Sequence, residues 1–91
     1  MPRRPKQPAV PFPYGKIVTV ADIGAAIRAK RASIGMPQEQ LAALAGVGPR
    51  FLSEVENGKE SAEIGKVLHV LRRLGLELSI TSRSGGSSNG G

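Results

Sequence analysis

The sequence has no cysteine, no tryptophan, one histidine and three other aromatics, two Phe and one Tyr, in 91 residues. Without cysteine there is no disulfide, no thiolate nucleophile and no sulfur-ligated metal, which fits a reducing compartment. The lone His69 shares a polar helix face with Lys66 and Arg73, so it reads as a surface residue and not as a ligand or base. No acidic pair stands out as acid and base, and no His/Cys/Asp cluster suggests a metal. The Gly-rich C-terminal stretch lacks the Lys-Ser/Thr and following helix of a phosphate loop. An enzyme, a cofactor and a bound metal are therefore not expected. No apolar run is long enough to span a membrane. The N-terminus is basic and Pro-rich without an apolar signal-peptide core, which makes the cytosol the expected location.

What is present is charge, unevenly placed. The net charge is +6, which hints at a polyanionic partner. Residues 1–16 carry Arg3, Arg4, Lys6 and Lys16 and no acid, whereas residues 17–82 carry eight basic and seven acidic side chains. Most of the basicity therefore sits in an arm, and charge alone does not establish nucleic-acid binding. Prolines at 2, 5, 8 and 11 repeat with the period of a polyproline II helix, and residues 1–16 are expected to be a disordered basic arm. Such an arm can simply solubilise, reach DNA, or dock as a Pro-rich peptide. Residues 83–91 are expected to be a flexible Gly/Ser tail.

The middle, residues 17–82, reads as a small all-α domain with one strand at its end. Thr19 followed by Asp22 is close to a capping box, and Ile23, Ile27 and Ile34 give the first helix a buried stripe that Gly35 ends. A second helix is expected over about 38–45 with Leu41, Leu44 and Ala45 inward. A third is expected over about 49–57, opened by Pro49 and stopped by Asn57-Gly58. A fourth is expected over about 62–74 behind Ser61 as cap, with Ile64, Val67, Leu68, Leu71 and Leu74 forming its apolar face. After Gly75 the period changes to two: Leu76, Leu78 and Ile80 alternate with Glu77, Ser79 and Thr81, a strand pattern. A lone strand leaves its backbone unsatisfied. Ile17-Val18-Thr19 is a weak internal partner. Pairing with the same strand of a second copy, through Leu76, Leu78 and Ile80, is preferred, because a dimer also enlarges a small core.

The segment QEQLAALAGVGPRFLSEVENG, 38–58, has the pattern of a helix-turn-helix. Small Ala42 sits where its helices must touch, Gly46 sits where the turn needs a left-handed backbone, and Val47, Leu52 and Val55 supply the buried positions. The ending Glu56-Asn57-Gly58-Lys59 and the upstream run from Arg28 through Gln38 resemble the Cro/Xre-like branch of this class. With the last helix and LGLELSI included, residues 19–81 resemble the HipB-like antitoxins. That resemblance implies a four- to five-helix domain whose C-terminal strand pairs across a dimer two-fold. It also implies a dimeric repressor that binds a palindromic operator, autoregulates a toxin–antitoxin operon and binds a HipA-like serine/threonine kinase. A protein of this kind would be nucleoid-associated through its DNA. The sequence departs from the pattern at Pro37, where the family usually has a Ser or Thr cap, and at Pro49-Arg50, where Gln or Ser is common. Its tail also offers no apolar anchor for a kinase. A protein-interaction module with weak DNA binding, capping a kinase or scaffolding a complex, is the alternative, as is a stand-alone Xre-type regulator.

In a helix-turn-helix the second helix enters the major groove with its N-terminal residues at the base edges. Gly48, Pro49 and Arg50 occupy that turn. Pro49 has no N–H to donate, and Arg50 can donate two hydrogen bonds to guanine or merely clamp a phosphate. Glu54 can accept from cytosine or pair with Arg50. Ser53 can touch phosphate. Phe51 can meet a thymine methyl but is better read as packing toward the preceding helix. Gln38, at a helix N-terminus, and Asn57 and Lys59, in the following loop, are phosphate candidates. Arg31 and Glu56 occupy positions that in the Cro-like group often form an internal ion pair.

Overall fold

The computed structural model describes residues 15–83. Apart from residues 15, 16 and 83, the expected N-terminal arm and C-terminal tail lie outside the described residues. Four helices follow one another: α1 (Val20–Ile34), α2 (Gln38–Ala45), α3 (Pro49–Glu56) and α4 (Ile64–Arg73). The fold is all-α. No helix of the described residues is long and apolar enough to cross a membrane.

Each boundary has a local cause. Thr19 Oγ1 accepts the Asp22 N–H at 3.3 Å, and Asp22 Oδ2 accepts the N–H groups of Val18 and Thr19 at 2.8 and 3.0 Å. These bonds form a complete capping box, and the Val18 N–H first, then that of Thr19, holds the Asp22 carboxyl below its ordinary pKa. α1 ends at Gly35 and α2 at Gly46, both left-handed, with Met36 and Val47 donating back to Arg31 O and Ala42 O at 2.9 and 3.0 Å.

Ile27, Leu41, Leu52, Val55 and Val70 are fully buried and form the centre of the core. α1 and α2 both pack on α3, and α2 also packs on α4. Gly24 is where α1 comes closest to α3. A Cβ there would collide with the carbonyl oxygens of Val55 and Glu56, so the contact requires glycine.

Several expectations are corrected. Ile34 is half exposed because α1 packs through its first half, Ile23 to Ile27, and its last turn overhangs. Leu44 is likewise half exposed. Leu41, Ala42 and Ala45 define the inner face of α2, and at about 100° per residue Leu44 falls roughly 110° from its centre. α4 begins at Ile64, two residues later than expected. Its N-cap is Glu63, with no side-chain cap bond, and not Ser61. Ile64, at the overhanging first position, is exposed. His69 is half-buried rather than a free surface residue. No strand is present at 76–81 among the described residues. Leu76 packs against the core, but Leu78 is 40% and Ile80 96% exposed. Among the described residues this segment has no ladder partner, and a strand without one is not stable.

Candidate nucleic-acid interface

The motif is two eight-residue helices, α2 and α3, joined by Gly46, Val47 and Gly48. The left-handed Gly46 (φ 68°) reverses the chain, and Val47 tucks against the core. On α3, Leu52, Val55 and Glu56 face inward. Gly48, Pro49 and Arg50 face solvent at the opening turn. The Arg50 side chain is 92% exposed.

Two charged clusters flank α3. Glu54 lies between Arg50 and Lys59: Arg50 Nε is 3.5 Å from Oε2, and Lys59 Nζ donates to Oε1 at 3.1 Å. The Lys59 hydrogen bond, then the nearby positive charges, lower the Glu54 pKa. Both of the carboxylate's cations are solvated. Phe51 is partly buried against the core, with Lys66 Nζ 5.6 Å from its ring centroid. It also walls a small groove of about 220 Å³ with Glu54, Lys59 and Ser61. Ser53 is half-buried, and its backbone carbonyl accepts the Asn57 N–H at 3.1 Å.

The second cluster is centred on a buried carboxylate. The side chain of Glu56 is fully buried. Arg31 donates to it as a fork, Nε to Oε2 at 2.7 Å and Nη2 to Oε1 at 2.8 Å, and Arg31 Nη1 also reaches Met36 O at 2.9 Å. Gln38 Nε2 donates to Glu56 Oε1 at 2.9 Å. The Gln38 amide is thus turned inward, and the N-terminal N–H groups of α2 remain for an anion. Burial pushes the Glu56 carboxyl up, but the Arg31 and Gln38 hydrogen bonds and the charges of Arg31 and Arg28 outweigh it, leaving the pKa lowered. The Glu56 hydrogen bond raises the Arg31 pKa in turn. Arg28, which the sequence marked only as the start of the Cro/Xre-like run and not as a partner of α3, joins the cluster. Its Nη2 donates to Glu56 O at 3.1 Å and to Asn57 Oδ1 at 3.2 Å. Its place one turn before Arg31, on the same face of α1, is the signal that could have assigned it this role. Among the described residues no group of acidic or His side chains could hold a metal.

A helix-turn-helix family model matches residues 27–80. An uncharacterized HTH-type transcriptional regulator of Sinorhizobium fredii, y4mF, is 49% identical over 65 residues, covering 71% of this chain and 86% of that protein. The chain belongs to the helix-turn-helix transcriptional regulators. It is of the Cro/Xre type, and its fold is that of HipB. HipB in complex with an O4 20mer matches with a TM-score of 0.70 at 21% identity, over 77% of this chain and 99% of that one. A chain of the HipA-HipB-O2-O3 complex matches with the same figures. At that identity the likeness is one of fold. The match begins at Ile27, so it takes in the second half of α1, where Arg28 and Arg31 grip the end of the regulator's α3.

Proposed function

We propose that this regulator is a dimeric, sequence-specific operator-binding repressor that acts as the antitoxin of a HipBA-like module, autoregulating its operon and binding a HipA-like serine/threonine kinase. The observation that carries the DNA-reading part is the exposed Arg50 on the first turn of α3, a helix anchored by Leu52, Val55 and Glu56. A guanidinium there meets a guanine edge when α3 enters the major groove. Its pairing with Glu54 is solvent-exposed and worth only ~0–1 kcal/mol, so DNA can displace it. Gly48 and Pro49 let the backbone approach. Lys59, Asn57, Ser53 and the N-terminal N–H groups of α2 beside Gln38 face the phosphates, and Phe51 braces α3 against the core.

The dimer reading rests on an open groove of about 800 Å³ between residues 15–17 and 76–83, floored by Ile23, Ala26 and Leu71. Leu78 and Ile80 line it and are exposed in the single chain. The equivalent strand of a second copy supplies both a ladder partner and apolar filling. The kinase partner is supported by the fold shared with HipB, whose solved complexes include HipA. Outside the basic arm the chain is close to neutral, which favours a second reading as an interaction module with weak DNA binding.

Fluorescence anisotropy with DNA from directly upstream of the gene, against scrambled competitor at two salt concentrations, tests the first reading. Tight, salt-sensitive, selective binding is expected, with Arg50→Ala losing about 1–3 kcal/mol of discrimination. Equal binding to both DNAs, unchanged by Arg50→Ala, refutes it. Light scattering that shows a monomer at micromolar concentration refutes the shared strand.

A further inference from the structure

Arg28 sits on α1, outside the helix-turn-helix proper, and its side chain is 55% exposed. An exposed arginine beside a DNA-reading helix is ordinarily read as a direct phosphate clamp. The geometry around it says otherwise. Its Nη2 is bonded to the last carbonyl of α3, Glu56 O, at 3.1 Å, and to Asn57 Oδ1 at 3.2 Å, while Nε lies 3.6 Å from Glu56 Oε1. The guanidinium is laid across the C-terminal end of α3.

That end is otherwise closed by its own backbone. Asn57 N–H donates to Ser53 O and Glu54 O, Gly58 N–H to Val55 O, and Lys59 N–H to Glu54 O, all between 3.0 and 3.2 Å. The carbonyl of Glu56 has no such backbone partner among these bonds, and Arg28 provides one. The second bond has a stricter consequence. A guanidinium has donors only, so Asn57 must turn its oxygen toward Arg28. That leaves its NH2 group unengaged by Arg28, and Asn57 is exposed.

Resting on the operator-binding reading above, we infer that Arg28 is a positioning residue for DNA. It fixes the end of α3 and holds the Asn57 amide with its N–H donors outward, so that Asn57, and not Arg28, hydrogen-bonds a phosphate diester oxygen. A helix lying in the major groove brings both of its ends near the phosphate walls, so Arg50 at one end and Asn57 at the other bracket the same groove. Arg28 ties this second contact to the buried Glu56 cluster that orients α3.

A double-mutant cycle on operator binding by the full chain tests this. Binding of wild type, Arg28→Ala, Asn57→Ala and the double variant is measured across a salt series, at a temperature where circular dichroism shows all four folded. Each single variant is expected to weaken binding about fivefold to tenfold, the effect of one hydrogen bond. The double variant should be no weaker than Asn57→Ala alone. The slope of log K against log salt should be unchanged by Arg28→Ala, because Asn57 neutralises no phosphate. Arg28→Lys, which keeps the charge but not the fork, should weaken binding as Arg28→Ala does. Additive losses, or a slope reduced by about 0.9, would mean that Arg28 contacts phosphate itself and overturn the inference. Rescue by Arg28→Lys would do the same. Selective binding by wild type with additive losses overturns this inference alone, whereas absence of selective binding by wild type overturns the operator reading and this one together.

Discussion

Glu54 and Glu56 lie two residues apart on α3, and each faces two cations. Glu54 meets Arg50 and Lys59; Glu56 meets Arg31 and Arg28. Their surroundings differ. The Glu54 side chain is 34% exposed and its partners are in water, whereas Glu56 is fully buried and takes two bonds from one guanidinium and a third from Gln38. The same charge pairing therefore does opposite work on the two sides of one helix. On the solvated side the attraction is screened and nearly cancelled by the entropy of holding long side chains, so the pair is easily broken. On the buried side, Glu56 and Arg31 are each tolerable only while the other is present, whereas Arg28 is half in water. Glu56 fastens α3 to α1 and to the start of α2; Glu54 holds its two cations only loosely, at the surface.

The largest effect that would break this contrast is at Glu56. Glu56→Ala leaves Arg31, 15% exposed, without its fork partner and Gln38 without its acceptor. Urea unfolding should show a loss of about 3–5 kcal/mol, the cost of uncompensating a buried pair. A loss below about 1 kcal/mol would show that water reaches the cluster and that the two carboxylates are alike after all. Gly24→Ala probes the same fastening without touching charge. The added methyl meets the carbonyls that end α3, and α1 must move outward. A loss of about 1–3 kcal/mol in the same measurement is expected, with the midpoint lowered.

The acid limb separates the buried cluster further. The folded-state pKa of Glu56 is lowered, so its contribution is present above the unfolded-state value of about 4.3 and is lost as pH falls through the folded value. Wild type and Glu56→Gln, compared by denaturant unfolding at stepped pH, should differ most near neutrality and converge as the pH drops below about 4. A difference that stays constant down that range would mean that the Glu56 charge is not what fastens α3.

The contrast also marks what the sequence can show. The buried skeleton of the motif was legible, because Leu41, Ala42, Leu52 and Val55 repeat with the helical period on either side of a turn that Gly46 announces. The overhanging residues were not. The period places Ile34 and Ile64 on apolar faces, but it does not say where the neighbouring helix stops, and Leu44 fell outside a face that only three residues define. The strand pattern at 76–81 describes a segment that needs another strand, and the described residues hold none for it. The buried cluster joins residues 25 and 28 apart in the sequence, which no local spacing encodes. The Arg31–Glu56 position came from family resemblance, whereas the bonds of Arg28 to the end of α3 and the inward turn of Gln38 are visible only in the fold. Gly24, in mid-helix, was a signal of close approach that the pattern of isoleucines masked.

The smallest effect on stability is the sharpest test of the solvated side. Glu54→Ala removes a carboxylate whose two cations are already hydrated, so urea unfolding should change by less than about 0.5 kcal/mol. Its effect on DNA should be larger and of known sign. Removing a negative charge from the surface proposed to face phosphates frees Arg50 and Lys59 and lowers repulsion, so operator and scrambled DNA should both bind more tightly at low salt. If Glu54 only holds Arg50 in reserve, the gain is equal for the two DNAs and the preference for the operator is kept. If Glu54 itself accepts from a cytosine amino group, the preference falls by about 1–3 kcal/mol, even as total binding rises. Anisotropy titrations of the two DNAs with wild type and Glu54→Ala separate these outcomes. A stability loss above about 2 kcal/mol in that variant would place Glu54 with Glu56, and the distinction between the two faces of α3 would fail.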